Sequence, residues 1–249
     1  MKGRLILALL LSGLLLGRSF VSAVEFSSDQ IIAEVDELIN STTGKYTAEI
    51  TIIRPGKDDR TSKVEVFIKG ISKVLVRYLA PAQEKGQGYL RLNDDEWLFL
   101  PNANKSIRVS GRQNMQGSDL ANDDLLKVKL TEDYTSMLIG TDTIEGVAVY
   151  MLELTARNPA VAYGRLKYWV RQSDFIPIKT EYYAISGKML KTAIYDEVIE
   201  IGGKVRPTRM EISSALRKGY KTVFTIIDAD YKYENPDSIF TRMYLEKGK

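Results

Sequence analysis

Most of the chain alternates apolar and polar side chains with a period of two residues, which is typical of half-buried β-strands. The alternation starts near Tyr46, is interrupted by turn-forming stretches such as PGKDD (55–59) and SGK (186–188), and continues to Tyr233. It predicts about a dozen antiparallel strands in one uninterrupted order. The predicted strands cover residues 46–52, 64–68, 74–78, 88–92, 96–100, 106–110, 134–140, 147–156, 164–172, 177–185, 189–201, 205–216 and 220–233.

One stretch before the strands has helical periodicity instead. Its apolar residues recur at i, i+1, i+4, i+7 and i+8, which places them on one face of a helix, and Ser27 or Ser28 is a candidate N-cap. Residues 40–44 (NSTTG) are a loop signal that ends the helix. We therefore predict one amphipathic helix before the first strand. Its apolar stripe consists of Ile31, Ile32, Val35, Leu38 and Ile39.

The first residues have the pattern of a secretory signal peptide. Lys2 and Arg4 precede an apolar run at 5–16, and the small-residue pattern VSA follows at 21–23. The run is shorter than the roughly 20 residues that a membrane-spanning helix needs. We expect residues 1–23 to be a signal peptide and residues 24–249 to form a soluble periplasmic protein. A lipid anchor requires a Cys at the cleavage site, so none is expected there.

Composition removes several classes of function. The chain has 35 basic and 32 acidic residues, and residues 1–23 contain three of the basic ones and no acid, so the mature chain is balanced and lacks the excess positive charge of nucleic-acid binders. Cys and His are both absent, which excludes disulfides, Ser-His-Asp and Cys-His catalysis, and His-ligated zinc. We expect no cofactor and no metal. The acidic residues at 94–96 are interpreted as a hairpin turn, since a calcium site needs more oxygen ligands.

The strands are expected to form one domain, because no linker, repeat or low-complexity segment separates them. So many consecutive antiparallel strands tend to curl or close into a barrel, whose interior would be wider than side chains alone fill. This favours a mainly β fold that encloses a ligand cavity. Which face points inward stays open, because residues 97–100 (WLFL) are apolar on both faces. The proposed lining is Ile50, Ile52, Val64, Val66, Ile68, Val74, Val76, Trp97, Phe99, Tyr168 and Val170.

A polar segment at 112–125 (RQNMQGSDLANDDL) interrupts the strands. Its paired carboxylates and Ser118 allow a catalytic interpretation, since glycosidases use two carboxylates and some hydrolases activate a Ser with a Lys. The segment is also explained by structure alone: Gly117 permits a turn, Ser118 or Asp119 can cap a short helix, and Asp123 in its first turn favours the helix dipole. We favour the structural interpretation.

Several motifs resemble outer-membrane lipoprotein-sorting proteins related to the periplasmic carrier LolA. They are VRYLAP (76–81), GQGYLRL (86–92), EWLFLP (96–101), the arginines at 108 and 112, MQGSD (115–119) with DDL (123–125), and NPDSIFTRMYLEK (235–247). The resemblance covers nearly all of the expected mature chain. Leu120 and Asn122 stand where such relatives usually carry aromatic residues.

The resemblance implies a single strongly curved antiparallel sheet that forms an unclosed β-barrel, with helices covering its concave face. It also implies a periplasmic carrier of lipoprotein or lipid acyl chains, received from an inner-membrane exporter and passed to an outer-membrane acceptor. The polar segment would then be a gate at the cavity mouth, with Arg108 or Arg112 paired to Asp119. The expected gate residues are Arg108, Arg112, Gly117, Ser118, Asp119, Asp123 and Leu125.

Two other functions remain open from the sequence. A phospholipase or esterase could use the same cavity, with a Ser activated by Lys. Alternatively, the protein could be an interaction module of an export complex, with a filled core in place of a cavity. A bound lipid would distinguish a carrier from such a module.

Overall fold

A computed structural model describes residues 26–126, 129–159 and 161–247. The predicted signal peptide therefore lies outside the described residues. The structure has four helices, α1 (Ser28–Ile39), α2 (Asn122–Leu126), α3 (Leu130–Asp133) and α4 (Arg242–Lys247), and three short 3-10 turns in its described part. The strands are β1 (Thr43–Ile53), β2 (Arg60–Lys69), β3 (Lys73–Ala80), β4 (Gly88–Leu92), β5 (Asp95–Leu100), β6 (Lys105–Val109), β7 (Tyr134–Ile144), β8 (Val147–Ala156), β9 (Arg165–Arg171), β10 (Pro177–Tyr183), β11 (Met189–Ile201), β12 (Lys204–Ser214) and β13 (Lys221–Asp230).

All 13 strands form one antiparallel sheet with the order β6-β5-β4-β3-β2-β1-β13-β12-β11-β10-β9-β8-β7. Each strand pairs with its neighbour in sequence except at the centre, where β1 pairs with β13. Within the described residues, the edge strands β6 and β7 are not paired with each other, so the barrel is unclosed. The predicted mainly β fold, with one antiparallel sheet that does not close, is confirmed.

The sheet curls around one face. Val76 of β3 and Tyr168 of β9 lie far apart in the strand order, yet both belong to one continuous cluster of buried residues, which also receives Ile31 and Val35 of α1. This cluster is named the concave core. A strand pattern with alternating burial, as in β1, places every second side chain in it.

The opposite, convex face carries a smaller core beneath the C-terminal residues. Leu75, Leu90 and Phe99 pack there against Ile239 and Leu245. This cluster is named the convex core. The last segment is also held by polar contacts, in which the Asp237 carboxylate accepts from Lys69 (2.9 Å) and Lys73 (2.6 Å), and the Arg77 guanidinium donates to the Tyr244 carbonyl (2.7 Å).

Helix α1 begins as the sequence predicts. The Ser27 hydroxyl accepts from the Gln30 backbone N–H (3.2 Å) and the Gln30 side chain accepts from the Ser27 N–H (2.9 Å), which is a complete capping box. Its apolar stripe covers part of the concave core, and Lys204 of β12 donates to the Asn40 carbonyl at its C-terminal end (2.6 Å).

Candidate functional site

A cavity of about 220 Å³ lies between the concave face and its covering segments. Ile39 and Asn40 at the end of α1 cover one side, and Leu125 and Leu130 cover another. The cavity reaches the surface near the β2–β3 turn, where Ile71 both lines it and is 46% exposed. Sheet residues that form its wall include Ile68, Val74, Leu166, Met210, Phe224 and Ile226.

Tyrosine hydroxyls introduce polar groups into the wall of this cavity, which also carries charged side chains such as Arg91, Asp133 and Arg206. The Tyr182 and Tyr195 hydroxyls lie 3.1 Å apart, and the Tyr163 hydroxyl donates to the Asp124 carboxylate at 2.9 Å. Burial raises the pKa of all three phenols above the ordinary value, so each is a neutral hydrogen-bonding group at neutral pH. The tyrosines that line the cavity are Tyr46, Tyr134, Tyr163, Tyr168, Tyr182 and Tyr195.

The structure places the proposed lining residues in three groups. Ile68, Val74 and Tyr168 line the cavity. The second group is buried on the concave side but does not line the cavity. It consists of Ile52, on the same face of β1 as Ile50, and of the concave-core residues Ile50, Val64, Val66, Val76 and Val170.

Trp97 and Phe99 are the third group, and they do not line the cavity. Both belong to the convex core, whereas Leu98 between them packs against the concave core. The sequence left this choice open because β5 is apolar on both faces. The reason is that α4 and the residues before it bury the convex face as well.

The polar segment folds into a hairpin, which we name the plug hairpin (residues 112–122). Asn114 and Ala121 form a β-bridge, and the Met115 N–H donates to the Leu120 carbonyl (2.8 Å). Gly117 turns the chain with a φ of 75°. Met115, Leu120 and Ala121 are buried in the concave core, so the hairpin closes the end of the barrel where β2, β11 and β13 begin.

Side chains from both halves of the sheet hold the plug hairpin. On one side, the Arg60 guanidinium donates to the Gln116 carbonyl, and the Gln116 amide donates to the Gln87 side chain. Arg60 is itself 3.6 Å from the buried carboxylate of Glu84. The hairpin therefore bridges the barrel from the β2–β4 side to the strands described next.

On the other side, two ion pairs anchor the hairpin and α2. The Asp119 carboxylate accepts from Arg217 at 2.7 Å, and its backbone N–H donates to the Thr222 hydroxyl at 2.9 Å. Lys191 donates to the Asp119 carbonyl at 2.8 Å and forms an ion pair with Asp124. The Lys191 and Asp124 side chains are only 6% and 7% exposed, so each needs the other's charge.

The expected partner of Asp119 is therefore corrected. Arg108 pairs with Asp95 on the exposed β5–β6 hairpin, and Arg112 donates to the Val161 carbonyl at 3.1 Å. The Asp119 carboxylate instead pairs with Arg217, which lies in the turn between β12 and β13.

The remaining gate residues divide between two places. Asp123 and Leu125 line the cavity, whereas Arg112, Gly117, Ser118 and Asp119 line a separate cleft outside the plug hairpin. The Ser118 hydroxyl accepts from the Leu120 N–H (3.1 Å) and donates to the Leu120 carbonyl (3.2 Å), so it stabilises the hairpin turn. The predicted short helix is present as α2, but it begins at Asn122, so neither Ser118 nor Asp119 caps it. The Asp124 carboxylate instead accepts from the Ala121 N–H before the helix (2.7 Å).

Three charged residues of this region escaped the sequence analysis. Asp36 lies on the buried stripe of α1. Lys191 is on the same inward face of β11 as Ala193 and Tyr195, and Arg217 lies in a turn. The sequence does contain a signal for Asp36 and Lys191, because each is a charged residue at a position where the regular pattern calls for an apolar one. The turn position of Arg217 carries no such signal.

A curved, unclosed antiparallel sheet with helices over its concave face and a cavity beneath them defines a class of lidded half-barrels. The chain is 32% identical to a LolA superfamily protein from Nitrosomonas europaea, whose crystal structure matches with a TM-score of 0.81 over 88% of this chain and 100% of the other. A model of a family described as an uncharacterized protein matches residues 70–247. The chain belongs to the LolA superfamily.

Two further crystal structures share the fold at lower identity. A DUF1329 family protein from Desulfovibrio piger is 23% identical, with a TM-score of 0.80 over 88% of this chain and 97% of the other. A putative outer membrane lipoprotein-sorting protein domain from Vibrio parahaemolyticus is 20% identical, with a TM-score of 0.78 over 88% and 98%. No match was found among proteins with curated descriptions.

The described residues contain neither a membrane-spanning helix nor a metal-binding cluster. None of the helices there has the length and apolar character needed to cross a bilayer. The same part of the chain contains no group of three or more acidic side chains that could hold a metal ion.

Proposed function

We propose that this protein is a periplasmic carrier that holds the acyl chains of a lipoprotein or lipid in the cavity and delivers them towards the outer membrane. An inner-membrane exporter would supply the cargo and an outer-membrane acceptor would receive it. Ile68, Val74 and Tyr168 are the sequence-predicted lining residues that the proposal places against the cargo. Membership of the LolA superfamily supports this assignment, as does the fold shared with the Vibrio parahaemolyticus domain, which is described as a putative outer membrane lipoprotein-sorting protein domain.

The observation that carries the proposal is the unfilled space beneath α1 and α3, whose wall is apolar over most of its area although charged side chains line part of it. At ~0.8 kcal/mol per buried CH₂, an acyl chain of about fifteen methylenes costs roughly 12 kcal/mol to expose to water. Unassisted transit of such a chain is negligible. An apolar wall offsets this cost, and the tyrosine hydroxyls keep part of the wall polar, which limits the affinity and favours release.

The cavity is smaller than an acyl chain requires. Its 220 Å³ lies below the range of about 300–1,000 Å³ that is typical of sites for drug-sized ligands. Loading must therefore displace covering segments. Helix α1 is one candidate, since among the described residues its extensive contacts are with α3, β7 and β12.

Lipid bound to the purified protein is the direct test. We expect mass spectrometry of protein isolated from its periplasm to detect an acylated molecule. Ile68→Trp, which places a larger side chain in the cavity wall, should remove most of that bound material because it fills the space.

The neighbouring residue provides a matched control. Phe67→Trp introduces the same side chain on the convex face, against the convex core, and should leave the bound lipid unchanged. Wild-type protein free of acylated molecules, or an equal loss of lipid in both variants, would contradict the carrier proposal.

A further inference from the structure

The cleft outside the plug hairpin has a volume of about 640 Å³ and carries an excess of positive charge. Its charged lining residues are Arg112, Lys191 and Arg217 against the single carboxylate of Asp119. Two large apolar side chains also line it, Ile185 (64% exposed) and Leu216 (53% exposed). Cations beside exposed apolar groups suit a molecule that has both an acidic and an apolar part.

The cleft and the cavity share a wall. Ala162 and Tyr163 line both spaces. The Lys191 ammonium also lies between them, 5.0 Å from the centre of the Tyr163 ring and 4.8 Å from that of Tyr182, which faces the cavity. A ligand lying across this wall would reach the cations at one end and the apolar cavity at the other.

The protein's own carboxylates occupy these cations. Asp119 holds Arg217, and Asp124 holds Lys191, and both acids belong to the plug hairpin or to the helix that follows it. Leaving a buried Lys without an anion carries a large electrostatic cost. If the plug hairpin moves, another anion must take the place of its carboxylates.

We propose that the cargo is an anionic amphiphile, with its phosphate or carboxylate on Arg217 and Lys191 and its tail in the cavity, and that Asp119 and Asp124 occupy these cations when the protein is empty. This inference rests on the proposed carrier function and specifies its ligand. Exchange of one anion for another leaves neither cation unpaired, so bound cargo and the carboxylates of Asp119 and Asp124 exclude each other at these two sites.

Binding of simple amphiphiles below their aggregation concentrations tests the inference by calorimetry. The probes are dodecyl phosphate, dodecyltrimethylammonium with the same tail, and inorganic phosphate without a tail. Dodecyl phosphate should bind more tightly than either. Arg217→Gln should weaken its binding at least about tenfold, the size of one charge-assisted contact, and should not weaken dodecyltrimethylammonium binding, because it removes a positive charge from the site.

A second variant changes affinity in the opposite direction. Asp119→Asn removes the competing carboxylate and should strengthen dodecyl phosphate binding several-fold. Arg165→Gln is the matched control. Arg165 has similar exposure to Arg217 and pairs with Glu153 at 3.1 Å. Its neighbour Leu166 points into the concave core, so Arg165 lies on the opposite face of β9. It should change the affinity for none of the three probes.

The outcomes separate this inference from the carrier proposal. Equal binding of the two dodecyl compounds, unaffected by Arg217→Gln, would retain the apolar site and overturn the anionic ligand. Strong binding of inorganic phosphate alone would show an anion site without a tail and also overturn it. Failure of both dodecyl compounds to bind wild-type protein would overturn both proposals.

Discussion

Asp36 is a carboxylate within the apolar stripe of α1 and is only 7% exposed. Its oxygens accept from the Leu130 N–H (2.9 Å), the Thr131 N–H (2.9 Å) and the Thr131 hydroxyl (2.7 Å). It thus supplies partners for backbone donors in the first turn of α3, a position where a negative charge is favourable. One side chain joins the two segments that cover the cavity.

We predict that Asp36→Ala destabilises the protein by about 1.5–3 kcal/mol, the usual size of hydrogen bonds to a charged group. Urea unfolding followed by circular dichroism measures the change. Glu34→Ala removes the same charge from an exposed position of α1 and should alter the free energy of unfolding by less than about 0.5 kcal/mol. Equal effects of the two variants would mean that Asp36 does not anchor the cover.

The sequence could not supply the partners of such residues. Periodicity places Asp36 on the buried stripe and Lys191 on an inward position, and to that extent the pattern shows that each needs a buried partner. The partners themselves come from distant segments, as with Asp119 and Arg217. Pairing of this kind depends on how the sheet curls, which neither the periodicity nor the resemblance indicates, and Arg108 and Arg112 are therefore wrong as partners of Asp119.

At the scale of elements, α4 is the cover of the convex face. Leu245 is 1% exposed and packs in the convex core, and it lies so close to β4 that a Cβ on Gly88 would approach its Cδ1 to 2.9 Å. The helix has only six residues, so burial of this side chain must stabilise it.

Leu245→Ala should therefore cost about 2–5 kcal/mol in the free energy of unfolding, as expected for a buried Leu replaced by Ala. Thermal or urea unfolding checks the value. Met243→Ala on the same helix changes a side chain that is 63% exposed and should have little effect. If the two variants unfold alike, α4 does not contribute to the stable core.

Elements were predictable where their patterns are long. The strands and α1 follow from periodicity and capping, because each spans enough residues to show one buried face. Helices α3 and α4 have no such pattern, since four to six residues make too few turns. The hairpin at residues 112–122 has no alternating pattern either. This also explains β5: without α4, nothing in the sequence indicates that its second apolar face has a partner.

At the scale of the whole molecule, the interior contains many phenols with raised pKa values. Burial raises the pKa of Tyr89 to about 12 and shifts those of Tyr46, Tyr168 and Tyr182 in the same direction. In the unfolded chain these groups ionise near pH 10. Their contribution to stability is therefore complete below pH 10 and is lost as pH rises through the folded-state values.

We expect the protein to unfold cooperatively between about pH 10 and pH 12 for this reason. Absorbance at 295 nm reports tyrosine ionisation and circular dichroism reports the sheet, and the two transitions should coincide for the buried tyrosines. Complete ionisation while the sheet remains intact would show that the phenols facing the cavity are open to solvent.

The pairing of β1 with β13 joins the first and last strands of the sheet at its centre. Neither half can complete its hydrogen bonding until nearly the entire chain has been made, so this contact of long sequence separation sets a slow closing step. A chain shortened before Lys221 would leave β1 and β12 each with one unpaired edge, which is a template for association with another molecule. Damage to the C-terminal part of this protein should thus cause aggregation before it causes a weaker affinity for cargo.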